Sequence, residues 1–129
     1  MVKIQAPADC GNAPKKLFVK DFIVAMVSND EDFLSRNITD DVDWQLIGGK
    51  HLAGRDAVLK GIRQLRGAGI TGLTIRTIVT HGYDGVAEGV LEYKNGKQAA
   101  FCDVFRFKSS TNNAPVKGIH TYAINLAAK

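Results

Sequence analysis

Asp103 is the side chain in this sequence with the most chemical potential, because it stands in an alternating run, Phe101, Asp103, Phe105 and Phe107, whose other members are all phenylalanine. Successive side chains of a strand point to opposite faces, so these four share one side. A carboxyl held among phenyl rings loses water, which disfavours its charged form, and a neutral carboxylic acid can donate a hydrogen bond or a proton. The competing reading is structural: Asp103 pairs with a lysine, an arginine or a backbone group at an edge of a sheet.

A second acid or base would have to come from His51, His81, His120, Glu88 or Glu92. His51 falls in a loop before a third predicted helix, where it could rim a pocket, and His81 falls at a turn. Glu88 and Glu92 share a strand face with Val86 and Val90, while Ala87, Gly89, Leu91 and Tyr93 form the other face. Tyr93 either presents its hydroxyl near a pocket rim or packs beside the turn that follows. Trp44, Phe22 and Met26 are spaced as core residues and become ligand contacts only if the core is hollow. Cys10 and Cys102 have no partner at metal-ligand spacing and are expected to be reduced and inert. The chain has no glycine-rich phosphate loop, Cys/His cluster or Gly-x-Ser-x-Gly elbow, so neither a cofactor nor a metal is expected.

The elements that must position these groups follow from periodicity. Residues 1–13 read as a loosely ordered leader. Pro14 opens a helix whose apolar face is Leu17, Phe18, Phe22, Ala25 and Met26, ending near Ser28-Asn29. Asp30-Glu31-Asp32 starts a second, short helix with Phe33, Leu34 and Ile38 buried, stopping around Thr39-Asp40. Val42, Trp44 and Leu46 alternate as a strand before a Gly48-Gly49 turn. Gly54-Arg55-Asp56 leads into a third helix that buries Ala57, Val58, Ile62 and Leu65 and leaves Lys60, Arg63 and Arg66 to solvent. Four strands complete the chain. The first carries Leu73, Ile75, Thr77 and Val79 on one side; Asp84-Gly85 turns it into Val86–Tyr93, and Asn95-Gly96 turns that into Gln98–Lys108. Ser109–Pro115 is a loop before the last strand, Val116–Leu126. Both sides of the strand bearing Asp103 are largely apolar, which predicts helices over one face and a second subunit over the other.

Composition narrows the function classes. With 129 residues, 45% of them hydrophobic and 23% charged, the chain suits one self-folding domain. Its net charge of +4 is scattered, with no basic run longer than Lys15-Lys16, which argues against nucleic-acid binding. No apolar stretch approaches the roughly 20 residues of a membrane helix, and the first residues lack the apolar core of a secretory signal. A cytoplasmic protein is expected.

The order of these elements, with Asp40-Asp41 before a strand, Gly54-Arg55-Asp56-Ala57-Val58 opening the third helix and Asp103-Val104-Phe105-Arg106-Phe107 among the terminal strands, resembles the nuclear transport factor 2-like superfamily over residues 14–126. That group includes ketosteroid isomerases, limonene epoxide hydrolases, SnoaL-like polyketide cyclases and non-enzymatic binding domains. By this resemblance Asp103 falls where the isomerases keep a protonated aspartate in their oxyanion hole. Their tyrosine donor falls near Phe22 and their aspartate base near Gln45, so two of three roles lack the required chemistry. Matching to the epoxide hydrolases puts Trp44 at a pocket tyrosine, Leu46 at a pocket asparagine and Thr121 near an acid. A SnoaL-like cyclase would need a histidine or another acid or base beside its aspartate. The isomerase comparison points Ile119, Thr121 and Ala123 inward and leaves His120 and Tyr122 on the outer face.

The resemblance implies an α+β domain, a cystatin-like cone of three N-terminal helices packed on a curved antiparallel sheet around an apolar pocket. Asp103 is its expected acid, and Phe22, Met26, Trp44, Gln45, Phe101, Phe105 and Thr121 are expected around a small, lipophilic ligand. Two functions fit: a cofactor-free acid–base isomerase, cyclase, dehydratase or hydrolase, and a non-catalytic ligand-binding or dimerisation module. A homodimer through the outer sheet face is expected in either case.

Overall fold

The structure, a computed structural model, describes residues 2–7, 13–28 and 30–126. Seven strands form one curved, open sheet in the order β1-β4-β5-β6-β7-β2-β3, and three helices lie over one of its faces. The strands are β1 (Lys3–Gln5), β2 (Ile38–Leu46), β3 (His51–Ala53), β4 (Ile70–His81), β5 (Asp84–Tyr93), β6 (Gln98–Phe107) and β7 (Val116–Asn125). The helices are α1 (Pro14–Ser28), α2 (Glu31–Arg36) and α3 (Arg55–Gly67). Pairing is antiparallel except that β1 runs parallel to β4 and β2 parallel to β7.

α1 begins at Pro14, whose missing N–H is not needed in a first turn, and buries Val19, Phe22, Ile23 and Met26 on one stripe. α2 is capped by Asp30, which accepts from the Phe33 amide at 3.2 Å. It stops earlier than the sequence suggests, because the Asn37 side-chain amide donates to the Phe33 carbonyl at 2.7 Å and Ile38 opens β2 opposite Val116. α3 starts from Gly54 at φ 94°, a conformation that favours glycine. Gly61 has no Cβ to collide with Leu52, so Leu52 and Trp44 press directly against the helix. Arg66, expected in solvent, is only 13% exposed and donates to Glu31 at 3.1 Å, and Arg63 reaches the same carboxylate at 2.7 Å. These contacts tie α3 to α2 and hold the Glu31 carboxyl below its ordinary range.

Four further expectations are corrected. The leader is not loose throughout, since Lys3–Gln5 adds a short strand to the edge of β4 and Ile4 packs against the core. Cys10 lies outside the described residues. His51 belongs to β3, paired with Gln45, and not to a loop. In β4 a bulge between Ile75 and Thr77 shifts the alternation, so Ile78 is buried while Val79 is 55% exposed. The bulge lies against Gly89, where a Cβ would collide with the Thr74 carbonyl. Finally, the β4–β5 turn is Gly82-Tyr83. Asp84 and Gly85 are already in β5, and Gly85 is kept small by the Phe107 ring, 3.1 Å from where its Cβ would stand. Asn95-Gly96 does turn β5 into β6, with Gly96 at φ 82° and the Lys97 amide donating to Asn95 Oδ1 at 3.0 Å.

The core lies between the helices and the inner sheet face. No helix among the described residues is long and apolar enough to cross a membrane.

Candidate functional site

Along β6 the inward residues are Ala99, Phe101, Asp103, Phe105 and Phe107, all buried, as alternation predicts. Antiparallel pairing sets Asp103 between Ala87 of β5 and Thr121 of β7. The parallel β2–β7 pairing then brings Trp44 alongside Ile119, two residues from Thr121 on the same face. A hydrogen-bonded chain results: Trp44 Nε1 donates to Thr121 Oγ1 at 2.8 Å, and Thr121 Oγ1 donates to Asp103 Oδ1 at 2.6 Å.

Asp103 also lines a cavity of about 190 Å³ between α1, α3 and the sheet. Of the expected contacts, Met26, Trp44, Phe101 and Thr121 line it as well. Phe22 and Phe105 do not, for they pack edge-to-face at 5.6 Å in the solid core behind it. Gln45 is exposed on the other face of β2 and does not line the cavity, because its neighbour Trp44 takes the inward position. Tyr93 is in the lining, on the face that alternation gave it. Ile23 and Val27 were missed, although they flank Met26 at helical spacing; Leu65 had been placed on the buried face of its helix and Leu91 on the strand face of Tyr93, without being tied to a site.

Burial drives the Asp103 carboxyl up to about 6, and the Thr121 hydroxyl bond, which favours the charged form, restrains the rise. The other titratable candidates are elsewhere. His51 contacts Asp43 and is exposed, His120 is exposed on the outer face, and His81 is exposed at the end of β4. Glu88 accepts from Arg76 at 2.8 Å on the outer face. Cys102, half-buried opposite Glu88, has its thiol pushed up by burial. Among the described residues no three His, Cys, Asp or Glu side chains are grouped to hold a metal ion. The site therefore offers one proton-exchanging carboxyl, a hydroxyl and an indole N–H that orient it, a phenol, and apolar walls.

No family model and no curated protein matches the chain. Solved structures do. An NTF2-like protein of unknown function from Cytophaga hutchinsonii aligns over 81% of this chain and 94% of its own with 24% identity and a TM-score of 0.65. A proposed SnoaL-like polyketide cyclase from Shewanella denitrificans aligns over 87% and 91% with 11% identity and a TM-score of 0.72. An LEH-like epoxide hydrolase from M. tuberculosis aligns over 84% and 77% with 18% identity and a TM-score of 0.68. Helices over one face of a curved, bulged sheet, in this order and across most of the chain, are the nuclear transport factor 2-like fold.

Proposed function

We propose that the cavity, at the enclosed end of a cystatin-like cone, binds a small, largely apolar molecule bearing a carbonyl or hydroxyl, and that Asp103 is its acid. One observation carries this reading: among the described residues, a buried carboxyl stands on the wall of an apolar cavity whose lining contains no lysine, arginine or histidine. A buried carboxyl left short of partners is costly, and a ligand oxygen accepting its proton relieves that cost. A carboxyl that exchanges its proton near pH 6 is also suited to general acid–base work close to neutrality. The chemistry we assign is cofactor-free isomerisation, cyclisation, dehydration or hydrolysis. Proteins of this fold described as a polyketide cyclase and an epoxide hydrolase support the assignment. A set of lipophilic ketones, enones and epoxides, read by thermal shift and turnover, tests it. Turnover that disappears in both Asp103→Asn and Asp103→Ala, with binding weakened most in Asp103→Ala, is expected; undiminished binding and turnover in both would retire the proposal.

A second reading has its own observation. Val79, Tyr122 and Ile124 are 55%, 47% and 67% exposed, an unusual set of large apolar groups to leave uncovered. They favour a non-catalytic module that dimerises through the outer sheet face. A monomer by sedimentation at micromolar concentration would count against it.

A further inference from the structure

The donor chain into Asp103 has a direction. An indole N–H can only donate, so the Trp44 bond occupies a lone pair of Thr121 Oγ1 and leaves the hydroxyl hydrogen to point elsewhere. The acceptor it meets at 2.6 Å is Asp103 Oδ1. With Thr121 donating to Oδ1 and no hydrogen bond to Oδ2 among the described residues, a proton added to the carboxyl is placed on Oδ2, on a side chain that lines the cavity. We infer that Trp44 and Thr121 are positioning residues that confine the exchangeable proton of Asp103 to Oδ2, so that the cavity takes up one proton from solvent as it takes up a carbonyl-type acceptor. The inference rests on the binding site proposed above and adds the ligand's hydrogen-bonding class and its linkage to pH.

The surroundings favour an acceptor over an amine. A bound amine would form a buried ion pair, and desolvating two charges offsets most of their attraction unless further hydrogen bonds satisfy them. Among the described residues, α1, α3, β2 and β7 present only apolar, hydroxyl or indole groups to the cavity, and Tyr93 of β5 is the one other titratable group in the lining. Cys102, Glu88 and His120 lie on the opposite face of the sheet. A ligand carbonyl that displaces water from this cavity removes the remaining solvation of the charged carboxyl and accepts the Oδ2 proton once it is there.

The test begins on the free protein. Carbon-detected NMR of the aspartate carboxyls, assigned with Asp103→Asn, gives the Asp103 midpoint in wild type, Thr121→Val, Thr121→Ser and Trp44→Phe. Thr121→Val removes the donor to the charged form and is expected to raise the midpoint by about half a pH unit or more. Trp44→Phe lets the hydroxyl turn away and raises it less, and Thr121→Ser restores it. Cyclohexanone and cyclohexylamine are then titrated calorimetrically across pH 5 to 8 in two buffers of different ionisation heat. Cyclohexanone affinity falling about tenfold per pH unit above the midpoint, with uptake of one proton, supports the inference. Cyclohexylamine binding that tightens as pH rises through the midpoint overturns it, as does a midpoint unmoved in both Thr121→Val and Trp44→Phe. Expected midpoints with neither probe bound would support the relay and overturn the binding site itself, so the two failures are distinguishable.

Discussion

Lys15 and Asp103 are the two buried charged side chains among the described residues, and the fold treats them in opposite ways. Lys15 lies over the Phe107 ring, 4.3 Å from its centre, and its ammonium donates to the carbonyls of Gly82, Ser109 and Thr111 at 3.0, 3.3 and 3.0 Å. All three of its N–H bonds are used, and the rings nearby, Phe18, Phe22, Phe105 and Phe107, fill the space. Asp103, farther along the inner face of β6, has one donor among the described residues and lines a cavity. A buried charge whose bonding capacity is exhausted closes a structure. One whose capacity is half used leaves a place for something else.

Truncation should separate the two ends most clearly. Phe22→Ala empties the solid end and is expected to cost about 3–5 kcal/mol in chemical denaturation. Phe101→Ala enlarges a space that already exists, and should cost less while changing ligand response; equal costs would erase the distinction between solid and hollow ends. The next effect is in pH. The folded Asp103 midpoint of about 6 lies above the unfolded value of about 3.9, so the folded state binds this proton more tightly. Its stabilising contribution is fully present below about pH 4 and is lost as pH rises to about 6, a change of about 3 kcal/mol. Stability of Asp103→Asn should lack this fall, making the variant the more stable above pH 7; parallel pH profiles would sink the claim. Lys15→Met, which strands three carbonyls near the surface, should cost about 2 kcal/mol and leave the Asp103 midpoint where it was. Least of all, Ile124→Ser on the open face should change monomer stability by under about 0.5 kcal/mol and touch neither buried charge.

The sequence showed some of this and concealed the rest for identifiable reasons. Pro14, Asn95-Gly96 and the alternation of β6 are local signals, and each led to the element observed. Asp103 was legible because a carboxylate among phenylalanines is locally conspicuous. The bulge in β4 was not, since one extra residue reverses which side chains face inward without altering the composition of the run. Asp84-Gly85 was read as the turn because the pair is a local turn signal, but His81 pairs with Asp84 and Thr80 with Gly85, which puts the turn at Gly82-Tyr83. Gln45 was drawn into the site by the isomerase comparison, one residue out of phase with the inward side of β2, whereas the epoxide hydrolase comparison named Trp44 and Leu46, which both line the cavity. Thr121 was named as a contact, but its bonds to Trp44 and Asp103 are nonlocal and invisible to any window of sequence.

The parallel pairing of β2 with β7 carries a kinetic consequence. Trp44 bonds a residue 77 positions onward, so the loop that closes this wall of the cavity is long and costs more entropy to close than the hairpins do. Until β7 docks, β6 is an edge whose inward positions from Phe101 to Phe107 are phenylalanine except at Asp103. In the unfolded chain that carboxyl has its ordinary affinity for protons and is ionised at neutral pH. The residue that is costly to bury in the finished molecule is therefore also a charge on the phenylalanine-rich face of this strand while the molecule is being made, where it opposes aggregation.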